Sequence, residues 1–223
     1  MNDSYGYFTN DGSEYHLLKH ITPRYWQQFL HNDQYGLTIA QTGHGYSWYK
    51  TMRSFRVTMT TDTNYSPTNP NTGRFLWLRD EQTGQAWHVN PQHFERQDID
   101  FTHWRCIYGL TYVTIRSRRH QIDHETTFFV PPDDPVEIWR VRLRNRSSRR
   151  RQLSLFSYLQ WHLSSYPLTW TDPQVYLSPT WLAGPKAVLV FNHNPESLIQ
   201  YGGFMTADRE PVGFETSMKH FLG

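Results

Sequence analysis

Apolar and polar residues alternate along much of this chain, which is the pattern of β-strands that bury one face. The clearest case is EIWRVRLRN (137–145), where Trp139, Val141 and Leu143 fall on one face and arginines fall on the other. The pattern predicts strands over 74–80, 109–117, 137–145, 152–163 and 187–194, and a weaker one over 200–207. The strands 137–145 and 152–163 are separated only by a polar turn, so we expect them to pair as an antiparallel hairpin with one solvated face.

No stretch keeps apolar residues at helical spacing for three turns, and the nearest candidate is 23–32, at most a short helix opened by Pro23. The chain is therefore predicted to be all-β, a two-sheet antiparallel sandwich forming one domain over 1–223. Two stretches are predicted to be loops, 63–73 and 164–181. The second is long and rich in aromatic residues, which is typical of a functional loop or of one covered by another domain.

Composition narrows the class of protein. Aromatic residues make up 16% of the 223 residues, which fits a β-rich core or a sugar-binding surface. A formal charge of +2 gives no reason to expect nucleic acid or a membrane as a partner. The start of the chain lacks the basic and apolar regions of a secretory signal, so a soluble, cytoplasmic protein is expected. Cys106 is the only cysteine and is predicted to be buried and structural.

Most candidate chemistry in the sequence has a structural explanation. His16 and His20, like His120 and His124, lie four residues apart, but no third ligand follows at a recognisable spacing, so no metal site is predicted. Asp133 lies with Asp134 between prolines, which favours a turn over acid–base chemistry.

The arginine-rich stretch 146–151 is predicted to be the solvated tip of the hairpin, with a subunit or domain contact as the alternative. The carboxylates at predicted turns are expected to keep ordinary pKa values; they are Asp80, Asp133, Asp134 and Asp172.

The stretch TGHGYSWYK (42–50) packs two glycines and three aromatic residues between predicted strands. Gly43 and Gly45 permit positive φ angles, so TGHG is predicted to be a turn. Taken alone, the stretch favours a structural hairpin with buried aromatic residues over a ligand-binding loop.

Several phrases resemble glycoside hydrolase family 94, the family of cellobiose and chitobiose phosphorylases and cyclic β-1,2-glucan synthases. The resemblance lies in YGYF (5–8), TPRYWQQFL (22–30) and QTGHGYSWY (41–49), and it continues through GRFLWLRDEQTGQAW (73–87). Further matching phrases are TTFFVPPDDPVEIWRVRLRN, RQLSLFSYLQWHL and the closing FETSMKHFLG. His44 stands where the family usually has glycine, and Ser217-Met218 stand where it usually has Asp-Arg.

The resemblance implies a β-supersandwich like that of galactose mutarotase. Family members continue into a helical linker and an (α/α)₆ barrel that holds the catalytic Asp and the phosphate-binding residues. The chain is thus expected to be a truncated N-terminal domain that lacks its last strands and the barrel, and so has no catalytic residue of its own. The implied parent reaction is inverting phosphorolysis of a β-linked gluco-oligosaccharide, with inorganic phosphate as co-substrate, no cofactor, and a homodimer as the assembly.

In the family, loops of the sandwich approach the active site, often that of the partner subunit. The resemblance therefore implies that residues 42–49 form an active-site rim or carbohydrate contact. The candidate residues are Gly43, His44, Gly45, Tyr46, Ser47, Trp48, Tyr49 and, from the long loop, Trp170. Arg53, Arg56 and Arg74 are candidates for contacting phosphate.

Two other functions stay open at this point. One is a free-standing lectin-like module that stacks sugars on Trp48, Tyr49 and Trp170. The other is an aldose-epimerase-like enzyme, which needs a histidine and a carboxylate that converge in a cleft, and no pair in the sequence has a persuasive spacing.

Overall fold

The computed structural model describes residues 4–52, 55–59, 74–90, 103–164, 176–195, 202–217 and 220–221. Strands are the main elements of this part of the chain. They are β1 (Gly6–Phe8), β2 (Glu14–Leu17), β3 (Gln27–His31), β4 (Tyr35–Ala40), β5 (Ser47–Tyr49), β6 (Arg56–Thr58), β7 (Arg74–Asp80), β8 (Ala86–His88), β9 (Arg105–Gly109), β10 (Tyr112–Arg119), β11 (Ile122–Phe129), β12 (Ile138–Asn145), β13 (Leu153–Leu159), β14 (Trp161–Ser164), β15 (Leu177–Leu182), β16 (Ala187–Asn192) and β17 (Gly202–Thr206). The predicted all-β class is confirmed, and no helix in the described ranges is long and apolar enough to cross a membrane.

The strands form four antiparallel sheets. Sheet A has the order β1-β2-β9-β10-β11-β12, and sheet B has the order β14-β6-β5-β4-β3. Sheet C is β13-β7-β8, and sheet D is β15-β16-β17. Every pair is antiparallel, as expected for strands joined by short turns.

Sheet A forms one layer of the sandwich, and sheets B and C together form the other. One buried cluster joins Val113, Ile115 and Phe128 of sheet A to Leu37 and Ile39 of sheet B. A second cluster joins Ile122 of sheet A to the inward residues of sheet C, namely Leu76, Leu78 and Trp87. Sheet D packs on sheet B through a third cluster, in which Val190 meets Phe55 and Leu163. The outer face of sheet A is therefore one broad side of the domain.

The predicted hairpin between 137–145 and 152–163 is wrong. β12 pairs with β11 at the edge of sheet A, whereas β13 pairs with β7 in sheet C. The stretch 152–163 also divides, because β14 pairs with β6 in sheet B. Alternation shows which face of a strand is buried, but it does not identify the partner strand. The arginine-rich stretch 146–151 therefore does not close a hairpin but connects β12 in one layer to β13 in the other.

Three smaller expectations also changed. The helix candidate 23–32 contains strand β3, which pairs with β4. Within 164–181, residues 177–181 belong to β15, so the predicted loop is wrong there, while 165–175 lie outside the described residues. Of the other predicted loop, 63–73, nothing lies within the described ranges. Leu143, which was expected to face inward, is 37% exposed and lies near the C-terminal end of β12.

Candidate functional site

Residues 41–46 connect β4 to β5, and their backbone makes a tight turn. The amide of Ala40 donates to the carbonyl oxygen of His44 at 2.8 Å. Gly43 and Gly45 have φ angles of 86° and 142°, which confirms the predicted turn at these glycines. A Cβ on Gly45 would lie 2.0 Å from the Thr38 carbonyl oxygen, so only glycine fits there.

The side chain of His44 fits the turn where the family usually has glycine. Its Nδ1 shares a 2.7 Å hydrogen bond with the Thr42 hydroxyl. Its half-buried ring lies against Tyr25, with centroids 5.6 Å apart, and against the edge of Phe75 at 6.1 Å. The neighbouring glycines carry the positive φ angles, so the histidine itself needs no unusual backbone conformation.

Two of the predicted rim residues are buried. Ser47 has no exposed surface and faces the interior between the two layers. Trp48 is 7% exposed and lies on the outer side of sheet B, where its indole covers Gly36 so closely that a Cβ there would be 2.2 Å from the ring. A sugar could stack on Trp48 only if the side chains that bury its indole moved aside.

Three aromatic rings of the segment keep accessible surface, because His44, Tyr46 and Tyr49 are only half-buried. The Arg56 guanidinium carbon lies 3.7 Å from the centroid of the Tyr46 ring, a cation–π contact that fixes both groups. Trp170 and Arg53 lie outside the described residues, so their place beside this segment stays a prediction.

Beneath the segment lies a buried ion pair that joins the two layers. The Arg74 guanidinium, from β7, donates to both carboxylate oxygens of Glu137 at 2.6 and 2.7 Å. The Ser47 hydroxyl donates to Glu137 Oε2 at 2.5 Å and accepts from Arg74 Nη2 at 2.6 Å. The indole of Trp139 and the phenol of Tyr35 donate to the same carboxylate at 2.8 and 3.3 Å. Ser47 is thus held by the interior and is not available to a ligand.

The electrostatics of this cluster keep it charged. Burial alone would raise the pKa of Glu137, but the Arg74 guanidinium and the donated hydrogen bonds outweigh burial and hold that pKa below its usual range. Burial, with the Glu137 charge, raises the pKa of Tyr35 well above its ordinary value. Glu137 therefore stays ionised and cannot serve as a general acid, and Arg74 is already occupied, which overturns its candidacy for contacting phosphate.

The sequence signal that could have revealed this cluster is the phase of its alternating residues. Glu137 continues the inward phase of Trp139 and Val141, and Arg74 continues that of Leu76 and Leu78. A charged residue on an inward phase indicates a buried ion pair. Asp133 and Asp134, the paired carboxylates of the sequence, lie exposed in a bend, as predicted for a turn.

Asp80 follows the same rule at the other end of β7. It has no exposed surface, and its carboxylate lies 2.6 Å from Arg151 and 3.4 Å from Arg149. Burial would raise the pKa of Asp80, yet the Gln82 amide and the Arg151 charge lower it, so the expectation of an ordinary pKa is wrong. The solvated-tip prediction for 146–151 is also wrong at Arg151, whose side chain is 6% exposed.

Histidine and cysteine residues form no metal site among the described residues, where no group of three or more potential ligands converges. His16 contacts Glu14 at 2.5 Å, and His124 is buried, which lowers its pKa to about 3. Cys106 is fully buried, as predicted, and burial raises the pKa of its thiol.

Comparison with known proteins gives one consistent result. The model of the glycosyl hydrolase 94 supersandwich domain matches residues 13–223. The chain is 28% identical to an N,N'-diacetylchitobiose phosphorylase of Vibrio furnissii over 98% of its own length and 27% of that protein. It is 28% identical to a solabiose phosphorylase of Paenibacillus borealis, over 98% of the chain and 28% of the relative. A cyclic beta-(1,2)-glucan synthase NdvB of Rhizobium meliloti is 27% identical over 99% of the chain and 8% of its own length. The chain thus spans under a third of the length of these relatives.

Proposed function

This chain belongs to glycoside hydrolase family 94 as its supersandwich domain, and from that premise we propose that it is the non-catalytic, carbohydrate-associated N-terminal domain of an inverting β-glucoside phosphorylase. The observation that carries the proposal is the match over 13–223 combined with coverage of only 27% and 28% of two phosphorylases. The remaining length of such relatives is where we expect the barrel that performs the chemistry.

The proposed parent reaction has inorganic phosphate attack the anomeric carbon of a β-linked gluco-oligosaccharide while a carboxylic acid protonates the leaving oxygen. The network described above supports a non-catalytic part for this chain. Glu137 is ionised by its contact with Arg74, and Asp80 is ionised by its contact with Arg151. A carboxylate held as an anion by arginine does not donate the proton that glycosidic cleavage requires.

The proposed contribution of the domain is to shape the pocket. Residues 42–49 would form a rim, presenting the half-buried rings of His44, Tyr46 and Tyr49 to a sugar held by the barrel or by the partner subunit. The cation–π contact of Arg56 with Tyr46 supports a fixed rim. The proposed setting is the cytoplasm, and the free, buried thiol of Cys106 agrees with a reducing compartment.

The decisive experiment measures phosphorolysis by the chain alone and with a separately expressed barrel domain. The chain alone is expected to release no sugar 1-phosphate from cellobiose, laminaribiose or chitobiose with phosphate. Addition of a barrel from the same polypeptide, sought in the reading frame beyond codon 223, is expected to restore turnover. Turnover by the isolated chain, abolished by changing one of its own carboxylates, would overturn the proposal.

A rim role also predicts a specific kinetic effect in the reconstituted enzyme. Tyr46→Ala and His44→Gly remove half-buried rings and are expected to raise KM for the disaccharide by about fivefold, since each ring–sugar contact of this kind is worth on the order of 1 kcal/mol. Tyr7→Ala, which removes an exposed ring from sheet A, is the matched control. Unchanged KM in both rim variants would remove residues 42–49 from the site.

A further inference from the structure

The outer face of sheet A, which the proposed function does not use, carries two adjoining grooves. The first has a volume of about 840 Å³ and the second about 420 Å³. They share the side chains of Arg116, Glu125 and Arg142, so together they form one trough across β10, β11 and β12. From Tyr112 to Arg118 the trough follows seven residues of strand, roughly 20 Å, which suits an extended ligand.

The first groove has a lining that suits a sugar. The hydroxyls of Thr114 and Thr127 lie at its floor, 2.9 Å apart, and the Tyr112 hydroxyl donates to Glu14 beside them. Phe129 forms the apolar part of the wall, because it lies on the same face of β11 as Thr127 and Glu125. Hydroxyl and carboxylate groups next to aromatic rings can hydrogen-bond sugar hydroxyls and pack on the apolar face of a pyranose.

The other part of the trough is rich in arginine. Glu125 accepts from Arg116 Nε at 2.7 Å and from Arg142 Nη1 at 3.1 Å, so one carboxylate orients two guanidinium groups. The side chains of these arginines remain 50% and 69% exposed, whereas Glu125 is 16% exposed. Their remaining N–H donors are accessible in a fixed arrangement that matches the geometry of a carboxylate.

Further positive charge borders the trough without a partner in the described residues. Arg140 and Arg144 lie on the same face of β12 as Arg142, and both are exposed and lack an ion pair within the described ranges. The guanidinium groups along this face outnumber the carboxylates of Glu125 and Asp123. The face therefore carries excess positive charge, although the whole chain is nearly neutral.

We propose that this trough binds an oligosaccharide that carries carboxylate groups. The sugar rings would lie over the Thr114–Thr127 floor beside Phe129, and the carboxylates would meet Arg116, Arg140 and Arg142. An acidic peptide would satisfy the arginines but not the aromatic and hydroxyl end of the trough. The site lies on sheet A, whereas residues 42–49 belong to the β4–β5 connection and to β5 of sheet B and line neither groove. Failure of this site would therefore leave the proposed rim function untouched.

The test titrates the purified chain by calorimetry with three probes. These are cellotetraose, its uronate counterpart in which each C6 is a carboxylate, and tetraglutamate of equal charge. The uronate is expected to bind at least tenfold more tightly than either of the others and to weaken as salt is added. Equal affinity for the uronate and tetraglutamate would indicate a charged surface without sugar recognition, and equal affinity for both sugars would remove the arginines from the site. Either result, or no binding of the uronate, overturns the proposal.

Variants then locate the site. Arg140→Gln with Arg142→Gln is expected to weaken uronate binding at least tenfold. Arg79→Gln with Arg209→Gln removes the same charge from positions outside the trough, and less than a twofold change is expected. Phe129→Ser tests the neutral end and is expected to weaken binding at least threefold. Equal losses in the two arginine pairs would overturn the assignment of the site to sheet A, with circular dichroism confirming that every variant is folded.

Discussion

At the scale of single residues, the buried ion pair of Arg74 and Glu137 joins the two layers. Its arginine begins a strand of sheet C, its glutamate precedes the edge strand of sheet A, and Ser47 of sheet B joins them. The side chains of the pair are 1% and 9% exposed. A buried ion pair of this kind adds little stability compared with a well-packed apolar pair in the same place. Loss of one partner, however, leaves the other charge buried and uncompensated.

Glu137→Gln is therefore expected to reduce the free energy of unfolding by about 3–5 kcal/mol. The cause is the Arg74 charge, which stays in the interior without its counter-ion. Urea denaturation followed by tryptophan fluorescence measures the change, and Asp134→Asn in the neighbouring exposed bend is the control, with less than about 0.5 kcal/mol expected. A loss below about 1 kcal/mol for Glu137→Gln would show that the pair is not coupled to folding.

At the scale of elements, the β4–β5 connection depends on the backbone of its second glycine. Gly45 combines a φ of 142° with a position at which an added Cβ would lie 2.0 Å from the Thr38 carbonyl oxygen. Gly84, which joins β7 to β8, also has a positive φ, 71°, but has open space around it. Substitutions at the two glycines therefore distinguish the free-energy cost of a positive φ from the additional cost of steric overlap.

Gly84→Ala is expected to cost about 1 kcal/mol, the conformational penalty alone. Gly45→Ala is expected to cost at least twice as much, about 2–4 kcal/mol, because the methyl group must also displace the Thr38 carbonyl from the hydrogen-bonded strand. Chemical denaturation measures both variants. Equal losses at the two positions would mean that the turn relaxes without disturbing β4.

At the scale of the whole molecule, buried histidines connect stability to pH. Burial lowers the pKa of His124 to about 3 and the pKa values of His88 and His162 to about 4. In the folded protein these imidazoles stay neutral. In the unfolded chain, where the pKa of histidine is about 6.5, they become protonated below that pH. Their contribution is therefore fully present above about pH 6.5 and is lost as the pH falls toward the folded values.

The unfolding free energy is accordingly expected to fall between pH 7 and pH 5 by up to about 2 kcal/mol for each such histidine. Glu137, with a lowered pKa, adds a further loss below about pH 4.3, where its carboxylate becomes protonated in the unfolded chain. Urea titrations at half-unit pH steps measure the slope, and His162→Asn should flatten it. A pH-independent free energy from 7 to 5 would contradict the burial of these rings.

Association is the second property of the whole molecule. The outer face of sheet D exposes Leu182, Phe191 and Phe204, and β15 and β17 are the edges of that sheet. Exposed apolar faces and free strand edges promote contacts between chains. We expect a dimer or larger species at tens of micromolar, measured by light scattering.

Phe191→Ser with Phe204→Ser is expected to shift the chain toward monomer. The matched control, Phe8→Ser, removes a side chain that is 67% exposed on sheet A and should leave the mass unchanged. A monomeric wild-type chain would contradict the prediction, and a dimer insensitive to both sheet D changes would place the contact elsewhere.

The sequence by itself determined the all-β class, a minority of the strands such as those over 74–80 and 187–192, the glycine turn at 42–45 and the family. These follow from local rules, since alternation, positive φ at glycine and the order of short phrases are all read within a few residues. Strand 74–80 was predicted at its observed bounds for that reason. Tertiary structure decided which strands pair, because β12 and β13 are adjacent in the chain but belong to opposite layers. It also decided that Ser47 and Arg74 lie inside, since a charged side chain on an inward phase is buried only when a partner such as Glu137, 63 residues away, arrives from the other sheet.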